Sequence, residues 1–228
     1  MPQATETFTG FQPDAVQFLA DLAANNDRAW FQPRKAEYER LLKEPLEALC
    51  VALAERFEAR GLPMTADPAR SPFRIYRDVR FSKDKSPYKT NIGAAFPWTG
   101  PGDARPGGYF HLAPGEAFVG GGTWHPEKAS LTAFRRLLDT DPGRVHAATD
   151  DPAFVATFGK VNGDRLTRVP QGYRPDHPEA ELLKLKDVTF GHRLSDADVA
   201  SPDLPDRLVA SLAAAVPVMH LLATLPIS

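Results

Sequence analysis

Apolar positions recur at helical spacing through the first third of the chain. Pro13 suits a first helical position, and Val16, Leu19, Ala20 and Ala23 follow on one stripe. The stretch NNDRAWF breaks that stripe and offers Asn26 or Asp27 as the next N-cap. A helix through Tyr38, Leu41 and Leu42 is expected to be interrupted near Pro45. Leu46, Leu49, Cys50, Leu53 and Phe57 then repeat at i, i+3, i+4, i+7 and i+11, and Gly61 is a natural stop.

The period changes in the middle of the chain. Phe73, Ile75, Val79 and Phe81 alternate with Arg74, Tyr76, Asp78 and Arg80, which predicts a strand. NIGAAFPW, GGYFHLAP and EAFVGGGTW predict three more. Between the first two of these, Thr99–Gly108 is rich in glycine and proline and is expected to be mobile. Helix returns from Pro126 to about Leu138, on an apolar face of Leu131, Phe134, Leu137 and Leu138, with shorter pieces continuing to Phe158. EAELLKLKDVTFGHRL predicts a helix end running into a last strand, Val188–Leu194, and Ser201-Pro202 opens a closing helix. Consecutive strands with short links imply an antiparallel meander. The fold class expected is therefore α+β, a mostly antiparallel sheet of about five strands packed by N- and C-terminal helices. No repeat, low-complexity tract or linker divides the chain, so residues 1–228 are expected to form one domain.

Composition adds limits rather than a function. The chain is 43% hydrophobic and 25% charged with a formal net charge of −2, so it cannot coat nucleic acid through bulk charge. Any phosphate contact must come from a local patch. One cysteine, Cys50, excludes an internal disulfide, fits a reducing compartment and sits on an apolar stripe as buried filler. The opening MPQATETFTGFQP has no basic segment followed by an apolar run. Leu208–Ser228 carries no Asp, Glu, Lys or Arg, but it is rich in alanine, contains Pro217 and His220, and has no basic flank. A buried terminal helix, a cytoplasmic location and no membrane partner are expected.

One segment departs from the overall acidity. FRIYRDVRFSKDKSPYKTN, Phe73 to Asn91, holds six cations (Arg74, Arg77, Arg80, Lys83, Lys85 and Lys89) against two acids, Asp78 and Asp84. Arg77 falls in phase with the apolar residues, where an unpaired guanidinium is costly, so it is expected to be buried against an acid, a helix Glu in preference to its neighbour Asp78. Arginine offers a planar fork to carboxylate or phosphate, and lysine a point charge. The expected role is binding of an anionic, phosphate-bearing small molecule through Arg74, Arg77, Arg80, Lys85 and Tyr88. Asp78 would orient an arginine or act as a general base. Nucleic acid is the less favoured partner. Two alternatives stand beside this reading: a nucleic-acid or protein interaction module, and a structural ion-pair hub with no ligand, tied to acids such as Glu37, Glu39 and Glu44.

RIYRDVRF followed by DKSPY resembles the signature of the domain of unknown function 2461 family, whose members are chiefly bacterial proteins of about this size. The resemblance extends to FTGFQPDAVQFLADLAANNDRAWF, YFHL, GGGTWHPE and GYRPDHP with LLKLKD, nearly the whole chain. It implies a single domain with the basic segment as its hallmark, and it transfers no catalytic residue.

Other constellations carry less. Three glycines before Trp124 and His125 feed a helix start, yet no phosphate-loop or dinucleotide fingerprint is present, and a tight turn that seats Trp124 is favoured. His111, near Glu116, and His125 are candidate acid–base residues. No histidine pair has metal-ligand spacing, so no metal is expected and no cofactor is indicated. No G-x-S-x-G elbow supports a serine hydrolase.

Overall fold

A computed structural model describes residues 7–228. Four strands, β1 (Ile92–Pro97), β2 (Gly107–Ala113), β3 (Glu116–Thr123) and β4 (Val188–Arg193), pair in that order as an antiparallel sheet. With the helices around it the fold is α+β, with four strands in place of the expected five or so.

The missing strand is Phe73–Phe81. It makes only isolated bridges, Pro72 to Ala94 and Tyr76 to Tyr88. At one end it borders β1, where Phe73 N–H donates to the Gly93 carbonyl (2.9 Å). It then folds back on itself, with Arg77 N–H donating to Pro87 O (2.9 Å) and Lys89 N–H to Ile75 O (2.7 Å). Pro72 and Pro87 have no N–H to give, so a continuous ladder cannot form. Alternation alone did not decide the outcome: Phe73 and Phe81 are exposed (46% and 96%) while Ile75 between them is buried.

The helices start and stop where local chemistry directs. α1 (Pro13–Ala24) opens on proline. Asp27 caps α2 (Arg28–Phe31), its carboxylate accepting from Trp30 N–H at 2.8 Å. The chain continues through a 3-10 turn at Gln32–Arg34, α3 (Lys35–Tyr38) and a π-helical turn at Glu39–Lys43 into α4 (Glu44–Ala59). The π turn sits just ahead of Pro45, whose missing N–H removes a regular helical bond. Gly61, at φ +61, ends α4 as Leu62 N–H reaches back to Phe57 O (2.9 Å).

Two compact units are assembled from interleaved stretches. One contains residues 7–96, Tyr109–Val119 and Arg193–Ala210; the other contains Pro97–Gly108, Gly120–His192 and Ser211–Ser228. In the first, Phe11 stacks on Phe110 (5.8 Å between centroids), Phe57 meets Phe96 edge-on (5.8 Å), and Leu19, Leu49 and Leu53 are fully buried. In the second, Phe154 and Phe158 close on Phe190 at 5.5 and 4.8 Å, and Phe134, Leu138 and Val145 are also buried.

The glycine-rich Thr99–Gly108 loop is fastened. Ala104 is buried and its N–H donates to Ala223 O at 3.2 Å, while Trp98 binds Pro101 O through its indole (3.2 Å) and Pro106 O through its backbone (2.9 Å). Among the described residues no single helix is long and apolar enough to cross a membrane, although α10 (Leu204–Ala214) and α11 (Val216–Ala223), bent by 55°, pass that test as a pair.

Candidate functional site

The basic segment is built in two parts. Near its tip, Asp78 takes the side chain of Arg80 through both carboxylate oxygens (Nε 3.0 Å, Nη2 2.7 Å), and Lys85 donates to Val79 O at 2.9 Å. The Arg80 guanidinium holds the Asp78 carboxyl below its usual range, so this acid is committed to a partner. Arg80 also lies over the Phe81 ring, 5.8 Å from its centroid. Asp78 thus orients an arginine, as expected, and Arg80 and Lys85, expected to face a ligand, make these contacts at an exposed surface.

At the base of the segment lies a polar cleft of about 300 Å³, lined by residues including Asn26, Arg77, Ser86, Lys89, Thr90 and Asn91. Arg77 is half-buried and pairs with Asp84, seven residues on, rather than with a helix Glu. Sequence phase anticipated an acidic partner, but the fold-back of the segment makes Asp84 the nearest one. Asp84 also accepts from Ser86 N–H (2.9 Å) and Oγ (2.6 Å). Arg77 first, then Ser86, hold its carboxyl well below the usual range.

Asn26 anchors this region from the α1–α2 turn. Its amide donates to Tyr88 O and accepts from Tyr88 N–H, both at 3.0 Å, replacing the partner a neighbouring strand would supply. Tyr88 is 1% exposed, with its ring stacked on Phe31 at 4.1 Å and tilted against Tyr76 at 5.5 Å. The structure thus places Tyr88 in the wall of the cleft and gives no open ring face for stacking.

Lys89 lines the cleft, and Arg74, outside that lining, is near enough for its charge to act on Lys89. Lys89 projects its ammonium over the Phe73 ring, 5.1 Å from the centroid. Burial, and next the nearby charge of Arg74, push its pKa down. Among the described residues neither the Lys89 nor the Arg74 side chain has an acid within ion-pair distance, although Arg74 contributes a weaker field at Asp78. Lys89, Thr90, Asn91 and Asn26 were not among the residues favoured from sequence. Lys89 was legible as part of the charge run. Asn26 was read as a cap candidate, and its contact with Tyr88 spans 62 residues that no local pattern connects.

His111 sits on the half-exposed side of β2. Its Nδ1 lies 3.1 Å from Tyr109 Oη, its Nε2 lies 3.9 Å from Glu116, and its ring stacks on Phe118 at 4.8 Å. Burial lowers its pKa, partly offset by Glu116, so the ring is neutral near pH 7. Tyr109 in turn packs against Phe73 (5.9 Å). His125 belongs to the other unit. Its backbone has φ 51°, its N–H donates to buried Asp187 (2.7 Å), and its ring lies against exposed Trp124 at 4.0 Å.

A histidine overlooked in the sequence is better partnered than either. His146, on α6 (Pro142–Thr149), lies 2.9 Å from Glu179 and 3.1 Å from Asp150, bordering a second cleft of about 500 Å³. The i, i+4 spacing of His146 and Asp150 was the available signal. Burial pushes the Cys50 thiol up to about 12, which keeps it protonated. Among the described residues no group of three or more His, Cys, Asp or Glu side chains is arranged to hold a metal ion.

A family model described as conserved hypothetical protein (DUF2461) matches residues 14–221, and the chain belongs to that family. No curated protein and no solved structure matches it.

Proposed function

We propose that the cleft at the base of the basic segment binds a small phosphate-bearing molecule. The observation that carries this reading is Lys89 on the cleft wall, its ammonium over the Phe73 ring and within the field of Arg74, with no acid within ion-pair distance of either cation among the described residues. Keeping an ammonium partly buried beside a like charge is unfavourable unless an anion completes the site. Arg77, already oriented by Asp84, supplies a fork at the same cleft, and Ser86, Thr90 and Asn91 supply neutral hydrogen-bonding groups. A volume of about 300 Å³ suits a phosphate with a modest organic group. The reading is one of binding, and no reaction is assigned.

The hub alternative accounts for the other half of the segment. Arg80 with Asp78, and Arg77 with Asp84, are internally satisfied pairs. In this reading Arg74 and Arg77 are kept from the expected ligand set, Lys89 joins them, and Arg80, Lys85 and the Tyr88 ring are left out because they do not open into the cleft.

The test is thermal denaturation with inorganic phosphate, a sugar phosphate and a nucleoside monophosphate. A ligand at a hundred times its Kd stabilises by about 2.7 kcal/mol, roughly 5–10 °C for a chain of this size. Lys89→Gln combined with Arg74→Gln should remove the shift, and Arg80→Gln should keep it. The absence of a shift with every phosphate tested would leave the hub as the whole explanation.

A further inference from the structure

The same segment carries a feature that a phosphate cleft does not require. Six large apolar side chains are exposed among the described residues, and three of them, Phe73, Tyr76 and Phe81, fall within nine positions of each other. Phe81 is 96% exposed and Tyr76 45%. Around them the segment Phe73–Asn91 carries six cations and two acids, a local net charge of +4 in a chain whose total is −2. Both acids are consumed in pairs with Arg77 and Arg80. Lys83 is exposed with no side-chain partner among the described residues, and Lys85 spends only one donor, on a backbone carbonyl.

We infer that this surface binds single-stranded nucleic acid, with a backbone phosphate in the cleft lined by Lys89 and Arg77 and bases on the rings of Tyr76 and Phe81; the inference rests on the phosphate-binding reading above. Single strands are held by alternating cations and aromatic faces, because every base offers a π-face and every linkage a negative charge. That alternation is what Arg74, Tyr76, Arg80, Phe81 and Lys83 display along the chain. Phe73 already carries Lys89 above its ring and so acts as a seat for the cation. Phe81 has Arg80 over one face, a guanidinium held in place by Asp78, and at 96% exposure it keeps ring surface open to a base. The acidic remainder of the chain limits binding to this patch, so few phosphates are neutralised and affinity is modest.

The experiment is fluorescence polarisation with labelled oligothymidylate and oligouridylate of roughly ten nucleotides, run beside the inorganic-phosphate thermal shift. Binding should weaken with added salt at a slope set by a few phosphates. Phe81→Ala and Tyr76→Ala, both at exposed positions, should each weaken oligonucleotide binding by roughly five- to a hundredfold and leave the phosphate shift unchanged. Lys89→Gln with Arg74→Gln should abolish both signals. A phosphate shift without oligonucleotide binding overturns this inference and leaves the cleft reading standing; loss of both signals in the unmutated protein overturns the two together. Binding that ignores Phe81→Ala and Tyr76→Ala, duplex binding as tight as single-strand binding, or Phe81-dependent capture by phosphatidylserine vesicles in place of the oligonucleotides would also overturn it.

Discussion

Asn26 holds both backbone polar groups of Tyr88, accepting from its N–H and donating to its C=O at 3.0 Å each. One side chain from the α1–α2 turn thereby does for the basic segment what a paired strand would do. Asn26→Ala leaves two partly buried groups without partners and should destabilise by about 1–3 kcal/mol. Chemical denaturation gives the magnitude. Amide exchange at Tyr88 should speed up more than at the core of α4, and an unchanged exchange rate there would show that Asn26 is not the anchor.

Tyr88 separates packing from ligand contact. Its ring is buried on Phe31, and its hydroxyl has one long contact with Gln32, at 3.5 Å. Tyr88→Phe should therefore stay within about 1 kcal/mol of the parent, whereas Tyr88→Ala should cost about 3–5 kcal/mol. The phosphate-induced shift should survive in Tyr88→Phe. Its loss in a fully folded Tyr88→Phe protein would restore the hydroxyl as a ligand contact.

Gly102 tests whether the proline- and glycine-rich loop is seated as the structure has it. Its φ is +125°, and a Cβ there would lie 2.1 Å from the Ala223 carbonyl oxygen. Gly102→Ala combines a disfavoured backbone with a backbone clash and should cost about 1–3 kcal/mol. Thermal melts measure this directly; an unperturbed melting temperature would mean the loop is not fastened at Ala223.

His146 gives a pH dependence with a definite sign. Its two ring nitrogens face Glu179 and Asp150, and only the protonated ring can donate to both. Glu179 first, and Asp150 with it, raise its pKa. Stability from this group is complete below the ordinary histidine value of about 6.5 and is lost as pH rises through the raised folded value. Melting temperatures measured from roughly pH 5.5 to 8.5 should fall over that window, and His146→Gln should flatten the fall. A profile identical in His146→Gln would assign the titration elsewhere.

The sequence by itself determined the α+β class, three of the four strands within Ile92–Thr123 and the last from Val188, and the helix boundaries at Pro13 and Gly61, while it left the second cap open between Asn26 and Asp27. These are set by local rules: alternation within a strand, apolar stripes on a helix, and caps that satisfy terminal N–H and C=O groups. It also located the basic segment and the need of Arg77 for an acid, because a charge in an apolar phase is costly wherever it lands. The tertiary structure decided which acid answered, and which cations were left over. Residues 71–73 are drawn to the edge of β1, the rest folds back through Pro87, and Asp84 thereby arrives beside Arg77 while Arg80 turns to Asp78. The residual charge at Lys89 and Arg74 follows from those pairings, since partners in a charged segment are assigned by through-space distance and desolvation, and a one-dimensional pattern specifies neither.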